Sequence, residues 1–540
     1  MVAKRSLSLL SELISFSLGH FRKLYLKSNI YNKKISKINL QSLVYKPSPN
    51  LLDCLIKDQK KTNIEDFYLN SIWNENINIK DYKKLHNFFW LFSLDLKSSK
   101  KITQSIILNW IENNDKYNSK NWELDILSKR IISWVSNSRL TYENSEEIYK
   151  KKFDTSIQKQ INHLINELNR SVWVEDKMIS CAAMVLAGLS YKNEKYLKYG
   201  LDLLKKIIDS SFDEVGFPKS RNIRQLNFFL KYFILIREWF KESQNEIPEY
   251  LNEIIYLNGQ SYNLLIQNTN KSFLFNGNQN FDNSKFENYL KLHNYKFKNE
   301  SNEYGGYALL KDKNITLLID VGSSPEKNFS EDYQSGALSF EIFYKSAKLI
   351  SNNGYFQNYK HQLNPISKST ATHSTLCIDN QSSCNFKKDT DGTLKINKGL
   401  KILKKNILFQ KDFWSITGSH DGYLKKYGII HERKIDYYPK LNKFLGEDKL
   451  IKKKNFKSTN FEIRFHFEPG TKITKTQDNK SILIEIENSG WRFFADNHSI
   501  DIETGLYFGN KNSFAENQNI FISGITRNEE QIVYWQINKI

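Results

Sequence analysis

The chain has 540 residues, with 79 Lys and Arg against 59 Asp and Glu, a formal charge of +20. Its 40% apolar content, with 35 Phe, 29 Tyr and 10 Trp, supplies ample core material and excludes intrinsic disorder. A single core stops growing at roughly 250–300 residues, so two domains are expected.

The amino end, Met1 to Phe21, carries Lys4 and Arg5 ahead of a Leu- and Ser-rich stretch. Glu12 interrupts the apolar run and no small-residue cleavage site follows, so a retained secretory signal is the minority reading. Leu7, Leu10, Ile14, Leu18 and Phe21 recur at helical spacing and predict an amphipathic first helix. No apolar run anywhere reaches the roughly 18 residues of a membrane span. Four cysteines, Cys54, Cys181, Cys377 and Cys384, form no C-x-x-C pair. They are expected as free buried thiols, with a Cys377–Cys384 bridge across a turn as the alternative, and they leave the compartment open.

The first half reads helical. Leu85, Phe88, Phe89, Phe92 and Leu96 form one apolar stripe, and Leu127, Ile131 and Trp134 another. Leu226, Phe229, Leu230, Phe233 and Arg237 repeat the spacing after the turn Gly216-Phe217-Pro218-Lys219-Ser220-Arg221-Asn222. Successive amphipathic segments of this kind suggest stacked helical hairpins. Arg221 and Asn222 are open to two readings, ordinary helix-start chemistry or a cleft-facing grip on an acidic group.

From about Asn276 to Glu303 the chain turns polar, as a linker does. Beyond it the apolar period drops to two. Ile315–Asp320, Leu338–Tyr344, Ser374–Asp379 and Phe461–Glu468 read as strands, punctuated by Gly322, Gly354, Gly422, Gly446 and Gly470. In the last, Phe461, Ile463, Phe465 and Phe467 point one way and Glu462, Arg464, His466 and Glu468 the other. Many strands without alternating helices predict an antiparallel sandwich. The fold class is α+β and multidomain: helices over 1–275, a linker over 276–303 and a sandwich over 304–540.

The charge excess suits an anionic partner. Runs such as Lys452-Lys453-Lys454 read as solvated loop, and no zinc finger, RNA-recognition signature or basic heptad region is present, so no nucleic-acid partner is expected. His-Glu-x-x-His, Gly-x-Ser-x-Gly and phosphate-cradling loops are missing as well. His373, His420, His431 and His466 fall on or beside the late strands. His431 and Arg433 share a strand face, an awkward pairing for zinc but a reasonable grip on a carboxylate. The competing reading is that these His satisfy buried partners.

Several segments together resemble the heparinase II/III-like proteins, in the form common in Gram-negative alphaproteobacteria. They are Leu85-His86-Asn87-Phe88-Phe89-Trp90-Leu91, Trp110-Ile111, Trp122 through Arg130-Ile131-Ile132-Ser133-Trp134, and Ser220-Arg221-Asn222. In the second half come Gly306-Tyr307, Asp320-Val321-Gly322, Gly336 through Glu341, Thr372-His373-Ser374-Thr375-Leu376, Ser419 through Tyr423, His431-Glu432-Arg433 and Arg464-Phe465-His466.

The resemblance implies an (α/α) toroid of helical hairpins, then an antiparallel β-sandwich, and a lyase that cleaves a uronate-containing polysaccharide by β-elimination. A catalytically degenerate glycan-binding protein of the same fold is the alternative. It implies catalytic roles for His373 and for Tyr333 or Tyr423. Arg221, Asn222, Gln334, His420, His431 and Arg433 would then bind substrate in a groove between helices and sheet. The partner would be an acidic polysaccharide and the location the cell envelope, with the cytoplasm as alternative because a cleavable signal is missing.

The chain also departs from the pattern. Glu175-Asp176 stands where relatives carry an Asn-His pair, and Phe217-Pro218 where they often have Gly-His. Gln334 stands where relatives commonly carry a His ahead of an Ala-Gly-x-Leu-Ser-Phe run, and the relatives' two-His, one-Asp metal set is reduced at best to His373, with Asn352 near the Asp slot. No cofactor is therefore expected.

Overall fold

The structure is a computed structural model that describes residues 19–49, 52, 73, 79–93, 100–267, 271–453, 458–511 and 513–540. The stripe from Leu7 to Leu18, Cys54, Leu96 and Lys454 lie outside the described residues. The chain forms two compact units: Met1–Ser210 with Phe229–Ile255, and Ser211–Phe228 with Tyr256–Ile540.

The first unit is helical. Lys100–Asn114, Leu124–Ser136, Glu147–Glu167, Val174–Ser190 and Glu194–Ser211 follow one another, while Ile223–Glu242 and Glu249–Leu265 contribute residues to both units. The predicted stripe Leu127, Ile131 and Trp134 is wholly buried, and its helix packs on Val174–Ser190. The Ser128 and Ser180 hydroxyls meet at 2.9 Å inside that contact. On the second helix Gly188 lets the backbone at Leu197 of the following helix come close.

One predicted helix is broken in two. Ile79–Asn87 stops and a 3-10 turn, Phe89–Ser93, follows, because Phe88 between them adopts φ +58°. The Phe88 carbonyl accepts the Ser133 hydroxyl at 2.6 Å, and its ring lies 5.2 Å from that of Trp134 and 5.3 Å from that of Trp90. Buried aromatic packing of this kind outweighs the local strain of a left-handed residue.

The second unit is built on antiparallel sheets. Glu303–Tyr304, Tyr307–Lys311, Ile315–Asp320, Phe340–Tyr344 and Ala347–Ile350 form a five-stranded meander. An eight-stranded sheet runs, edge to edge, through Lys472–Lys475, Ser481–Ile486, Ser489–Ala495, Glu530–Lys539, Lys443–Lys452, Ile429–Tyr438, Phe413–His420 and Ile402–Gln410. A four-stranded sheet orders Ile500–Tyr507, Ala515–Ile525, Asn460–His466 and Leu376–Ile378. Leu317, Ile319, Phe340, Ile463, Phe465, Phe493 and Trp535 belong to one buried core shared by all three. The rings of Phe340 and Trp535 stack at 5.5 Å.

Gly446, expected as turn punctuation, lies mid-strand opposite Trp535, where an added Cβ would come within 2.0 Å of the indole. The segment expected as a linker contains the helix Ser284–Leu292, anchored by buried Phe286 and Leu290. The outermost strand Ile402–Gln410 keeps Leu403 51% and Phe409 44% exposed, with Lys404 and Lys405 beside Leu403. Cys181, Cys377 and Cys384 are free and buried.

Candidate functional site

The turn Pro218-Lys219-Ser220-Arg221-Asn222 sets two side chains back to back. Arg221 adopts φ +60°, held by its own N–H on the Pro218 carbonyl (2.8 Å) and by the Tyr307 hydroxyl on its carbonyl (2.5 Å). Its guanidinium is enclosed. Nη2 reaches Asp320 Oδ1 at 2.5 Å, Nε the Gly305 carbonyl at 2.9 Å, and Nη1 the Gly322 and Ser323 carbonyls at 3.1 and 3.2 Å. The glycines of the two motifs explain themselves here: an added Cβ at Gly322 would lie 2.4 Å from Arg221 Cζ, and one at Gly306 2.9 Å from Nη2. On the outer side of this turn lies a cavity of about 840 Å³ whose wall mixes Lys219, Lys404 and Lys405 with Asp213, Glu303 and Glu326.

Asn222 is fully buried and caps a helix, the ordinary helix-start reading of the sequence. Its Oδ1 accepts the Arg224 N–H at 2.9 Å, capping the helix Ile223–Glu242, while Nδ2 donates to Asp332 Oδ2 at 2.9 Å. Arg224 Nη2 reaches the same carboxylate oxygen at 3.2 Å; the nearby Tyr355 hydroxyl donates to the Glu331 carbonyl at 3.3 Å and accepts Asn364 Nδ2 at 3.1 Å. Lys368 fixes the turn that presents Asp332. Buried, its ammonium donates to the carbonyls of Glu331, Tyr333 (3.1 Å) and Leu394 (3.1 Å) and lies 5.6 Å from the Tyr355 ring centroid. Burial pushes Lys368 down to about 8 and Tyr355 well above the usual phenol range, the latter reinforced by Asp332.

Asn276 and Gln334 join the two halves of this network. Asn276 Nδ2 donates to Asp320 Oδ2 at 3.2 Å, and its Oδ1 accepts the Gln334 N–H at 3.1 Å. Gln334 Oε1 accepts the Gly277 N–H at 3.1 Å. Tyr333 is buried close to Asp320 and Arg221, and desolvation holds its phenol well above the usual range.

His373 lies outside this network. Its ring packs on Gly336, and its Nδ1 is 2.9 Å from the Ser369 carbonyl, with burial pushing it down to about 4. Tyr423 donates to the Leu376 carbonyl at 3.1 Å from within the core. His420, His431 and Arg433 form a separate centre around Asp448. His431 Nε2 and Arg433 Nε approach its Oδ1 at 2.7 and 2.8 Å, while Arg433 Nη2 and Trp535 Nε1 both reach Oδ2 at 2.9 Å.

None of the nine residues singled out from sequence is more than 7% exposed. In the network around Asp332, by contrast, the side chains of Arg224 and Asp332 are 30% and 22% exposed. Arg224, Asp332, Tyr355 and Lys368 were not singled out from sequence. Arg224 sits three residues beyond Arg221 and Asp332 immediately precedes Tyr333-Gln334, so the signal was adjacency to motifs already recognised. The inferred metal slots do not fit a cation: the Gln334 and Asn352 amide oxygens are committed to the Gly277 and Ser374 N–H groups. Among the described residues no three His, Cys, Asp or Glu form a group able to hold a metal.

Residues 298–536 match the family model described as Heparinase II/III-like, C-terminal. A crystal structure of heparinase III is similar at 15% identity with a TM-score of 0.69, covering 95% of this chain and 89% of that one. A heparan sulfate lyase HepC structure from Pedobacter heparinus is similar at 13% identity and a TM-score of 0.64, covering 95% and 83%. No curated protein matches the chain in sequence. The β-rich half is therefore similar to the heparinase II/III-like C-terminal domain. The chain has the fold of heparinase III, an N-terminal (α/α) toroid followed by an antiparallel β-sandwich. Among the described residues no helix is long and apolar enough to cross a membrane.

Proposed function

We propose that this chain engages a uronate-containing polysaccharide of the cell envelope and cleaves it by β-elimination, with Arg224, Asn222 and Tyr355 receiving the sugar carboxylate. The observation that carries this reading is the convergence of Asn222 and Arg224 on one partly exposed carboxylate, Asp332, with the Tyr355 phenol close enough to feel its charge. Removing the proton beside a carboxylate builds a dianionic intermediate, which is accessible only where fixed donors already face the charge. An amide and a guanidinium on one acid group, with a phenol beside them, are such a set, and Asp332 holds the place of the sugar acid. Water in the opened site takes the proton from the carbon beside the carboxylate, while Tyr355, which keeps its proton at neutral pH, gives its own proton to the leaving oxygen and regains one from the protonated water. Tyr333, Gln334 and Arg221 act by positioning the loops behind these donors.

The test is a panel of acidic polysaccharides incubated with the purified chain, reading the ultraviolet absorbance of unsaturated uronate. Product formation that disappears in Arg224→Ala is the expected result. Absence of both turnover and binding across the panel rejects the proposal.

A second reading, glycan binding without turnover, is favoured by a different observation. The two arginines singled out from sequence are neutralised internally, Arg221 by Asp320 and Arg433 by Asp448. Saturable oligosaccharide binding with no unsaturated product selects this reading over the first.

A further inference from the structure

We infer that the β-rich unit has exchanged a metal-held centre for a neutral amide cross-link centred on Gln334, and folds without a divalent cation. The relatives' metal slots fall at His373 and near Asn352, and Gln334 stands where relatives commonly carry a His; the hydrogen bonds at all three leave almost nothing to ligate with. Fully buried Gln334 spends its whole amide: Nε2 donates to the Ser367 carbonyl at 2.5 Å and to the Gly354 carbonyl at 2.9 Å, and Oε1 accepts from Gly277. One side chain thus ties three stretches of backbone that are distant in sequence, which is the mechanical task of a structural ion.

Asn352 Oδ1 accepts the Ser374 N–H at 2.8 Å, so only its amide N–H groups remain, and a donor opposes a cation. His373 keeps a buried Nε2 without a partner, as does nearby His466, whose Nδ1 is 2.7 Å from Asn519 Oδ1. Two neutral imidazoles without an anionic ligand are a poor site for zinc. Glu341, the carboxylate that touches Asn352, is already bonded to the Asn352 N–H at 2.8 Å and paired with Lys348 at 2.9 Å. The oxygens that would hold an ion, those of Gln334, Asn352 and Glu341, are thus satisfied by protein donors, and what stays unpartnered is the Asn352 amide nitrogen, which repels a cation, and the two imidazole nitrogens.

The test uses the full chain expressed in zinc-supplemented medium, with metal analysis and thermal unfolding before and after a chelator. The wild type is expected to carry far less than one equivalent of zinc and to unfold at the same temperature with or without chelator. The double variant Gln334→His/Asn352→Asp restores two ligands beside His373. It is expected to retain close to one equivalent and to melt at a chelator-dependent temperature. Stoichiometric zinc in the wild type whose removal lowers Tm overturns the inference. So does a folded double variant that takes up no metal. If the double variant does not fold, the wild-type metal content and chelator response decide the matter alone.

Discussion

Nε2 of His431 lies 2.7 Å from Oδ1 of Asp448, and the Gly422 N–H lies 3.1 Å from Nδ1 of His420 at the far end of the same chain of bonds. The backbone N–H makes His420 Nδ1 an acceptor, so His420 donates through Nε2 to His431 Nδ1 at 3.2 Å. His431 then donates to Asp448. Both imidazoles are neutral and the carboxylate is ionised. Burial alone would raise Asp448, but Arg433 and His431 hold it well below the usual carboxylate range.

Replacing Asp448 with Asn leaves the Arg433 charge buried beside a neutral amide. Removing one member of a buried pair costs about 3–5 kcal/mol, so D448N is expected to lose that much stability in denaturant unfolding. A change below about 1 kcal/mol would show that the pair contributes only its desolvation.

Gly322 lies against the Arg221 guanidinium, with no room for a methyl group. Overpacking of this kind costs roughly 1–3 kcal/mol, and Gly322→Ala is expected to lower stability by that amount. A wild-type melting curve for the variant would mean that Arg221 shifts freely and is not fixed by the carbonyls around it.

Acid should unfold the protein early. Burial lowers His86, His163 and His466 to about 3 and His373 to about 4, and also lowers His420 and His431. A folded-state value below the unfolded one means that the unfolded chain binds more protons between about pH 6.5 and pH 4. Their contribution is complete above pH 6.5 and is lost as pH falls through that window. Asp154, raised to about 6, and Asp176, raised to about 7, both chiefly by burial, oppose this, as do Asp213, Glu287 and Glu341, whose carboxyls burial also raises, so five groups stand against six. Unfolding free energy measured from pH 7 to 4 should still fall, because the six histidines are displaced across the whole window; a rise toward acid would contradict neutral buried histidines.

If Asp332 occupies the place of a sugar carboxylate, removing it should release Asn222 and Arg224 toward the ligand. Asp332→Ala is expected to bind acidic oligosaccharides about tenfold more tightly, and Arg224→Ala about tenfold or more weakly, each tenfold being about 1.4 kcal/mol. Calorimetric titration checks both, and unchanged affinity in the pair removes Asp332 and Arg224 from the site.

Local periodicity carried the sandwich strands well. Ile315–Asp320 has the expected bounds, and Phe461, Ile463 and Phe465 are buried while Glu462 and Arg464 reach outward. His466 breaks that alternation because Asn519 covers its face, a contact 53 residues away that no local pattern records. The same limit applies to the site. Motif matching found Arg221 and Asn222, yet the acceptors that enclose Arg221 come from around residues 305 and 320, and exposure then separates Arg224 from it. Phe88 looked like one more position in a helical stripe; only the aromatic rings around it turn the backbone aside.

The outermost strand, Ile402–Gln410, offers unpaired backbone and three protruding apolar side chains, Leu403, Leu408 and Phe409, the makings of a template on which a second chain could align. Lys404 and Lys405, ion-paired with Glu432 and Glu303, lay long charged side chains across that edge and blunt it against such a copy. The lysine excess that first suggested a polyanionic partner thus also keeps neighbouring molecules apart, and converting this lysine pair to threonine should trade a dispersed protein for one that polymerises edge to edge.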